Sequence, residues 1–231
     1  MPITNRKDPK CSECSVPARE RICLSEKGQA DKECPTIHMS EVIESALEKY
    51  DDKEVARFAK AASIQEAECY LDRHKRPLKV IPVKTRVEEI IGFAKLMGYK
   101  RLGVAFCGGV LSEGAILTDI LKKRGFEVVS VMCKVGRVSK RRIGIKQEEQ
   151  ILTDAPFEVM CNPIAQAEIL NQAGTDFNIM MGLCVGHDAL FLKHVNAYTT
   201  VFAVKERVLG HNPMAALYLA SSYYTRLHDK E

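Results

Sequence analysis

The sequence predicts an α/β fold: a mostly parallel sheet with helices on both faces, preceded by a cysteine-rich metal-binding segment and a helical extension. Three observations predict it. From residue 85 onward, helical periodicity alternates with short apolar runs in the order α-β-α-β-loop-α-β-α-β-α, the pattern of parallel strands joined by crossover helices. The apolar runs are short enough to read as buried strands. The first 38 residues have no apolar period, yet they hold four of the nine cysteines. The expected organisation is a cysteine-rich metal-binding segment over 1–38, a helical extension and linker over 39–84, and an α/β domain over 85–231.

Composition narrows the function classes. At 231 residues the chain accommodates one α/β domain of roughly 140 residues plus an extension. Hydrophobic residues are 46% and charged residues 28%, so a core can form without disulfide staples. The opening MPITNRKDPK lacks the apolar stretch of a signal peptide, and no run approaches the ~18 apolar residues of a membrane span. The expected location is therefore the reducing cytoplasm, with no membrane partner, where clustered thiols mean metal or redox chemistry. Net charge is only +4, Trp is absent and aromatics are 6%, so no nucleic-acid partner is expected.

The elements follow in order. Ser40 caps a helix whose face is Val42, Ile43, Ala46 and Leu47. A second helix is predicted over 52–62, with Val55, Phe58, Ala59 and Ala62, and a third over 64–74, with Ala67 and Leu71. Cys69 in the third reads as a small buried hydrophobe. Pro77 and Pro82 mark a linker. A helix over 86–97 closes at Gly98, a strand over 102–106 leads to Cys107-Gly108-Gly109, and a helix over 111–124 ends at Gly125. A strand over 126–132 ends at Cys133. The basic stretch 134–146, with Arg137, Lys140, Arg141 and Arg142, is either a solvated loop or an anion contact. Residues 147–152 are predicted helical, and 156–160 form a short strand or a lead-in to Cys161. Asn162 and Pro163 open a helix over 163–172. A strand over 178–183 leads to Cys184, a helix spans 188–194, and the last strand is 199–204. A polar loop over 205–212 precedes a final helix from Pro213.

Two groups of cysteines carry the chemistry. Cys11, Cys14, Cys23 and Cys34 are spaced C-x2-C-x8-C-x10-C. The C-x2-C pair is a strong metal signal, but a zinc ribbon would repeat it and this segment does not. Cys34-Pro35 matches the Cys-Pro that ends ferredoxin ligand runs. An iron–sulfur cluster, 4Fe-4S, is therefore the expected cofactor, with zinc the alternative at the same four residues and His38 an alternative fourth ligand. The second group is Cys107, Cys133, Cys161 and Cys184. Three directly follow predicted strands, and parallel strands end on one edge, where ligands bind. Cys107, Cys161 and Cys184 also precede helices, whose N-termini favour thiolates. These four are expected to form a second metal-holding site; otherwise two or three are core cysteines. His187 is a ligand, an acid/base or a surface residue, and Asp188 a helix cap. The loop after the last strand brings Lys205 and Arg207 to hold an anion, with His211 and Asn212 completing the pocket; Asn212 equally reads as an N-cap.

Cys11-Ser-Glu-Cys14 with Cys23 and Cys34, Ala105-Phe-Cys107, Cys161-Asn-Pro-Ile-Ala-Gln-Ala-Glu168, Gly182-Leu-Cys-Val-Gly-His-Asp188 and Val208-Leu-Gly-His-Asn-Pro213 together carry a resemblance. Over nearly its whole length the chain resembles a family of uncharacterised, cysteine-rich metal-binding proteins of anaerobic bacteria and archaea. The resemblance implies metal binding and no particular reaction, and draws attention to Asn162, Gln166 and Glu168 beside Cys161. The expected function is an iron–sulfur protein whose sheet-edge site transfers electrons or sulfur to a small anionic substrate or a redox partner protein. The alternative is a non-enzymatic zinc-binding or thiol redox-sensing module. A nucleotide-binding enzyme is disfavoured, because no glycine-rich phosphate loop is present.

Overall fold

The computed structural model describes residues 8–77 and 80–230, so residues 1–7 of the cysteine segment lie outside it. The chain divides into two compact units, Met1–Ala62 and Ser63–Glu231.

In the first unit, polar side chains and turns shape a segment with no apolar core. The Asp31 carboxylate accepts the Ser15 hydroxyl at 2.5 Å and its N–H at 3.2 Å. Arg21 donates to the carbonyls of Val16 and Cys14 at 2.8 and 3.1 Å. Helix α1 (Pro35–His38) starts on a proline at its favoured position, and α2 (Ser40–Glu48) follows. The two helices predicted over 52–62 and 64–74 are instead one, α3 (Lys53–Glu68), capped by Asp52 and crossing the unit boundary. Ala62-Ser63-Ile64 contains neither Gly nor Pro, so nothing breaks it. It stops at Glu68 because β1 (Tyr70–Leu71) pairs antiparallel with β2 (Ile81–Pro82).

The second unit is the α/β domain. Thr85 and Glu88 form a reciprocal capping box that starts α4 (Arg86–Leu96). Then come β3 (Arg101–Phe106), α5 (Leu111–Lys123), β4 (Glu127–Met132), α6 (Pro163–Gln172), β5 (Phe177–Leu183), α7 (His187–His194), β6 (Thr199–Val204) and α8 (Pro213–Tyr218). The sheet order is β4-β3-β5-β6, with every pairing parallel. On one face Ala105, Val131, Met180 and Leu183 pack with Ala167, Leu170 and Phe191 of α6 and α7. On the other, Phe106 and Met181 approach Gly114 of α5, and Phe177 meets Phe93 of α4 at 5.4 Å between ring centres. Helices therefore cover both faces. Among the described residues no helix is long and apolar enough to cross a membrane.

Two features position the site. Strand β3 feeds β4 on one side, and β4 feeds back across it to β5, so the strand order reverses at the carboxyl ends of β3 and β5. Near the end of β5 the register shifts at Gly182, which has φ of 65°. A Cβ there would lie 3.1 Å from Val110, so glycine alone allows the bulge that re-aims the chain into Cys184.

Candidate functional site

The first cysteine group gathers around one pocket. Cys11, Cys14, Cys23 and Cys34 line a cavity of about 60 Å³, together with Lys10, Arg21, Asp31 and Glu33. Cys11 and Cys23 are exposed, while Cys14 and Cys34 are half-buried. Cys34 sits at the N-cap of α1, just before Pro35. His38 is not among the lining residues. Among the described residues, no three Cys, His, Asp or Glu side chains stand in ligand geometry around one point. The fit to a thiolate-bound metal is thus one of donor chemistry and placement: four soft sulfurs around one cavity, with two cations beside them.

The second group meets at the carboxyl edge of the sheet. Cys133 ends β4, Cys107 ends its neighbour β3, and Cys161 arrives from the loop before α6. The Sγ atoms of Cys133 and Cys161 are 3.8 Å apart, and Cys107 stands close enough to Cys133 for the two thiols to be coupled. Cys133 is buried, 2% exposed, while its two neighbours are half-buried. The Gly108 N–H donates to Cys133 Sγ at 3.3 Å and the Gly109 N–H to Cys107 Sγ at 3.5 Å. A Cβ on Gly109 would lie 3.3 Å from Lys205 Nζ, so the glycine lets this cation approach Cys107.

The three thiols are coupled, and their acidities diverge. Hydrogen bonds to Cys107 and Cys161, with burial, push the Cys133 thiol far up and keep it protonated. The hydrogen bond from Cys133, aided by the Gly109 N–H and Lys205, overcomes burial and lowers Cys107 to about 5. The same thiol, with Lys134 and His187, lowers Cys161 to about 6. The raised Cys133 and the lowered Cys107 and Cys161 belong to the coupled trio rather than to any one thiol.

A buried amide ties these elements together. Gln166 of α6 is fully buried, and its Nε2 donates to the carbonyls of Phe106 at 3.2 Å and Val131 at 2.7 Å. Those carbonyls belong to the last turns of chain before Cys107 and Cys133. The Phe106 carbonyl also accepts the Cys133 N–H, and the Cys133 carbonyl accepts the Asn162 N–H at 2.7 Å. The Asn162 side chain caps α6 through the Ala165 N–H. Of the three residues flagged beside Cys161, Gln166 and Asn162 build the site, whereas Glu168 is an exposed helix residue.

The remaining predicted residues divide. Cys184 ends β5 at the same edge, with its Sγ accepting a hydrogen bond from Arg207 Nη2 at 3.2 Å. His187 begins α7, is half-buried, and stands near enough to Cys161 to help lower that thiol. His211 Nδ1 lies 2.7 Å from the Val204 carbonyl, so Nδ1 carries the proton and Nε2 is left as an acceptor. Asn212 is exposed at the N-cap of α8 and makes no side-chain cap bond. The basic stretch is largely consumed internally. Lys134 donates to the Val159 carbonyl at 2.5 Å, Lys140 pairs with Glu158 at 2.6 Å, and Arg137 lies over Phe157. Residues 156–160 are a lead-in with one antiparallel bridge, Ser139 to Val159. Cys69 is buried against Gln65 and Glu89, its thiol pushed up by burial.

The profile of a family described as protein of unknown function (DUF1847) matches residues 34–202. The chain belongs to the DUF1847 family. The matched stretch contains Cys34 and all four sheet-edge cysteines of this DUF1847 member, and it ends before Lys205 and Arg207. The chain is also 41% identical over 217 residues to the uncharacterized protein MJ0455 of Methanocaldococcus jannaschii, covering 94% of this chain and 96% of that one.

Proposed function

We propose that this protein binds a metal through Cys11, Cys14, Cys23 and Cys34 and uses its sheet-edge thiols to pass electrons or sulfur to a small anionic substrate, in a reducing cytoplasm. The observation that carries the metal half is the convergence of four thiols, spread over residues 11–34, on one pocket. A polar segment without a core gains its order from such a centre, because metal binding free energy becomes folding free energy. An iron–sulfur cluster held there supplies one-electron transfer; zinc in its place supplies order alone.

At the sheet edge, the chain's own residues account for the second half. Cys107 and Cys161 are half-buried sulfurs beside buried Cys133, and Lys205 and Arg207 supply positive charge at the same edge. His211 Nε2 offers an acceptor at the same loop. An anion is held by Lys205 and Arg207 while a neighbouring thiolate reacts.

The reading favours iron–sulfur over zinc on Cys34-Pro35. Protein purified under anoxia is expected to be brown, with broad absorption near ~400 nm and acid-labile sulfide. Colourless protein with one zinc per chain would support the second reading, a zinc module with an oxidisable thiol switch, which the short Cys133–Cys161 separation favours.

A further inference from the structure

The sheet-edge thiols are not equivalent, and their differences assign roles. Cys133 Sγ and Cys161 Sγ are 3.8 Å apart. A disulfide needs about 2.05 Å between sulfurs and adjacent backbones. The two backbones are adjacent, since the Asn162 N–H donates to the Cys133 carbonyl at 2.7 Å. Accessibility differs too, since Cys161 is half-buried and Cys133 is 2% exposed. An incoming reagent meets Cys161 first. Lys134 stands beside Cys161, and exposed Arg207 lies on the same edge, so the approach is cationic.

We propose that Cys161 and Cys133 are an attacking and resolving pair for thiol–disulfide exchange with small organic disulfides that carry carboxylates. Cys161 attacks one sulfur of R–S–S–R, forming a Cys161–S–S–R bond and releasing RS⁻. Cys133 then loses its proton to solvent and attacks Cys161 Sγ as the thiolate, closing the Cys133–Cys161 disulfide and releasing the second sulfur as RS⁻, which takes up a proton from solvent as RSH. The two cysteines lose two electrons; the external disulfide gains them and becomes two thiols. Cys107 is left as the free thiol of the trio. This inference rests on the sheet edge being a working thiol site and is independent of metal at the first segment.

The test uses the full chain, purified reduced, with oxidised glutathione as the anionic probe and cystamine as the cationic one. After alkylation and tryptic digestion, the peptide 125–134, which holds Cys133, is expected linked to 147–193, which holds Cys161 and Cys184. The link is expected to survive Cys184→Ser, to vanish in Cys161→Ser, and to form at least ~10-fold faster with oxidised glutathione than with cystamine, a ratio typical of charge-complementary encounter. In Cys133→Ser, the mixed disulfide on Cys161 is expected to accumulate. A stable mixed disulfide in the wild type, or a link to the peptide 102–122 that holds Cys107, overturns the pairing but leaves a working thiol. A Cys161 inert to both probes overturns the pairing and the thiol reading together. Equal rates with the two probes overturn the substrate class.

Discussion

Cys133 sets the chemistry of its neighbours. It is buried and accepts the Gly108 N–H, and its thiol is pushed up by Cys107, Cys161 and burial. The sign for the flanking thiols follows. Each is an acid held down, Cys107 to about 5 and Cys161 to about 6, against an ordinary 9.0. They are therefore thiolates through neutral pH and lose nucleophilicity only as pH falls through that range. In metal-free protein, alkylation of both by iodoacetamide is expected to be nearly constant from about pH 9 to about pH 7 and to fall below about pH 6, read residue by residue by mass spectrometry. Cys133→Ala removes the donor, and the same profiles are expected to move up towards the ordinary range. An unchanged profile in Cys133→Ala would contradict this coupling.

Helix α6 and strands β3 and β4 are held in register by Gln166. Gln166→Leu leaves the Phe106 and Val131 carbonyls without its amide, and the expected loss is about 1–3 kcal/mol in chemical denaturation. The same variant is expected to shift the alkylation profile of Cys107 and Cys161, whereas Leu170→Ala, which lowers stability through the same helix by cavity formation, is expected to leave it in place. At the end of β5, Gly182→Ala forces a side chain into a left-handed conformation and is expected to cost about 1–2 kcal/mol, measured by the same unfolding experiment. Much of this layer was legible in the sequence. Asn162-Pro163 marked the start of α6, and the apolar runs marked β3 to β6 to within about a residue, because a buried parallel strand leaves a dense apolar signal. The placement of cysteines after strands also put Cys107 and Cys133 side by side. The β1–β2 ribbon was not legible, since two-residue strands have no period, and α3 was split where no breaker exists. Gln166 carried no signal of its role: a polar residue in a helix reads as solvated until the carbonyls it meets are known. The basic loop likewise read as free charge because Glu158, the partner of Lys140, lies 18 residues away.

At the scale of the whole molecule, the chain carries two thiol groups with separate demands. The first unit gathers four cysteines round a cavity but has no buried hydrophobic stretch among residues 8–52 to order it. The second has a parallel sheet with helices on both faces and stands on its own core. Stripping metal with a chelator is therefore expected to make residues 8–34 sensitive to protease while the α/β domain unfolds at an unchanged denaturant midpoint, followed by limited proteolysis and circular dichroism. Cys23 and Cys34 were grouped with the C-x2-C pair on sequence, and what spacing did not show is the turn geometry, fixed by Asp31 with Ser15 and by Arg21 with two carbonyls, that brings them round. The most direct test of the central claim is metal content per chain, by elemental analysis of protein purified under anoxia, in the wild type and in Cys14→Ser/Cys34→Ser. Stoichiometric metal in the wild type, lost in the double variant, is the predicted result; a metal-free wild type, or metal that survives both substitutions, would contradict it.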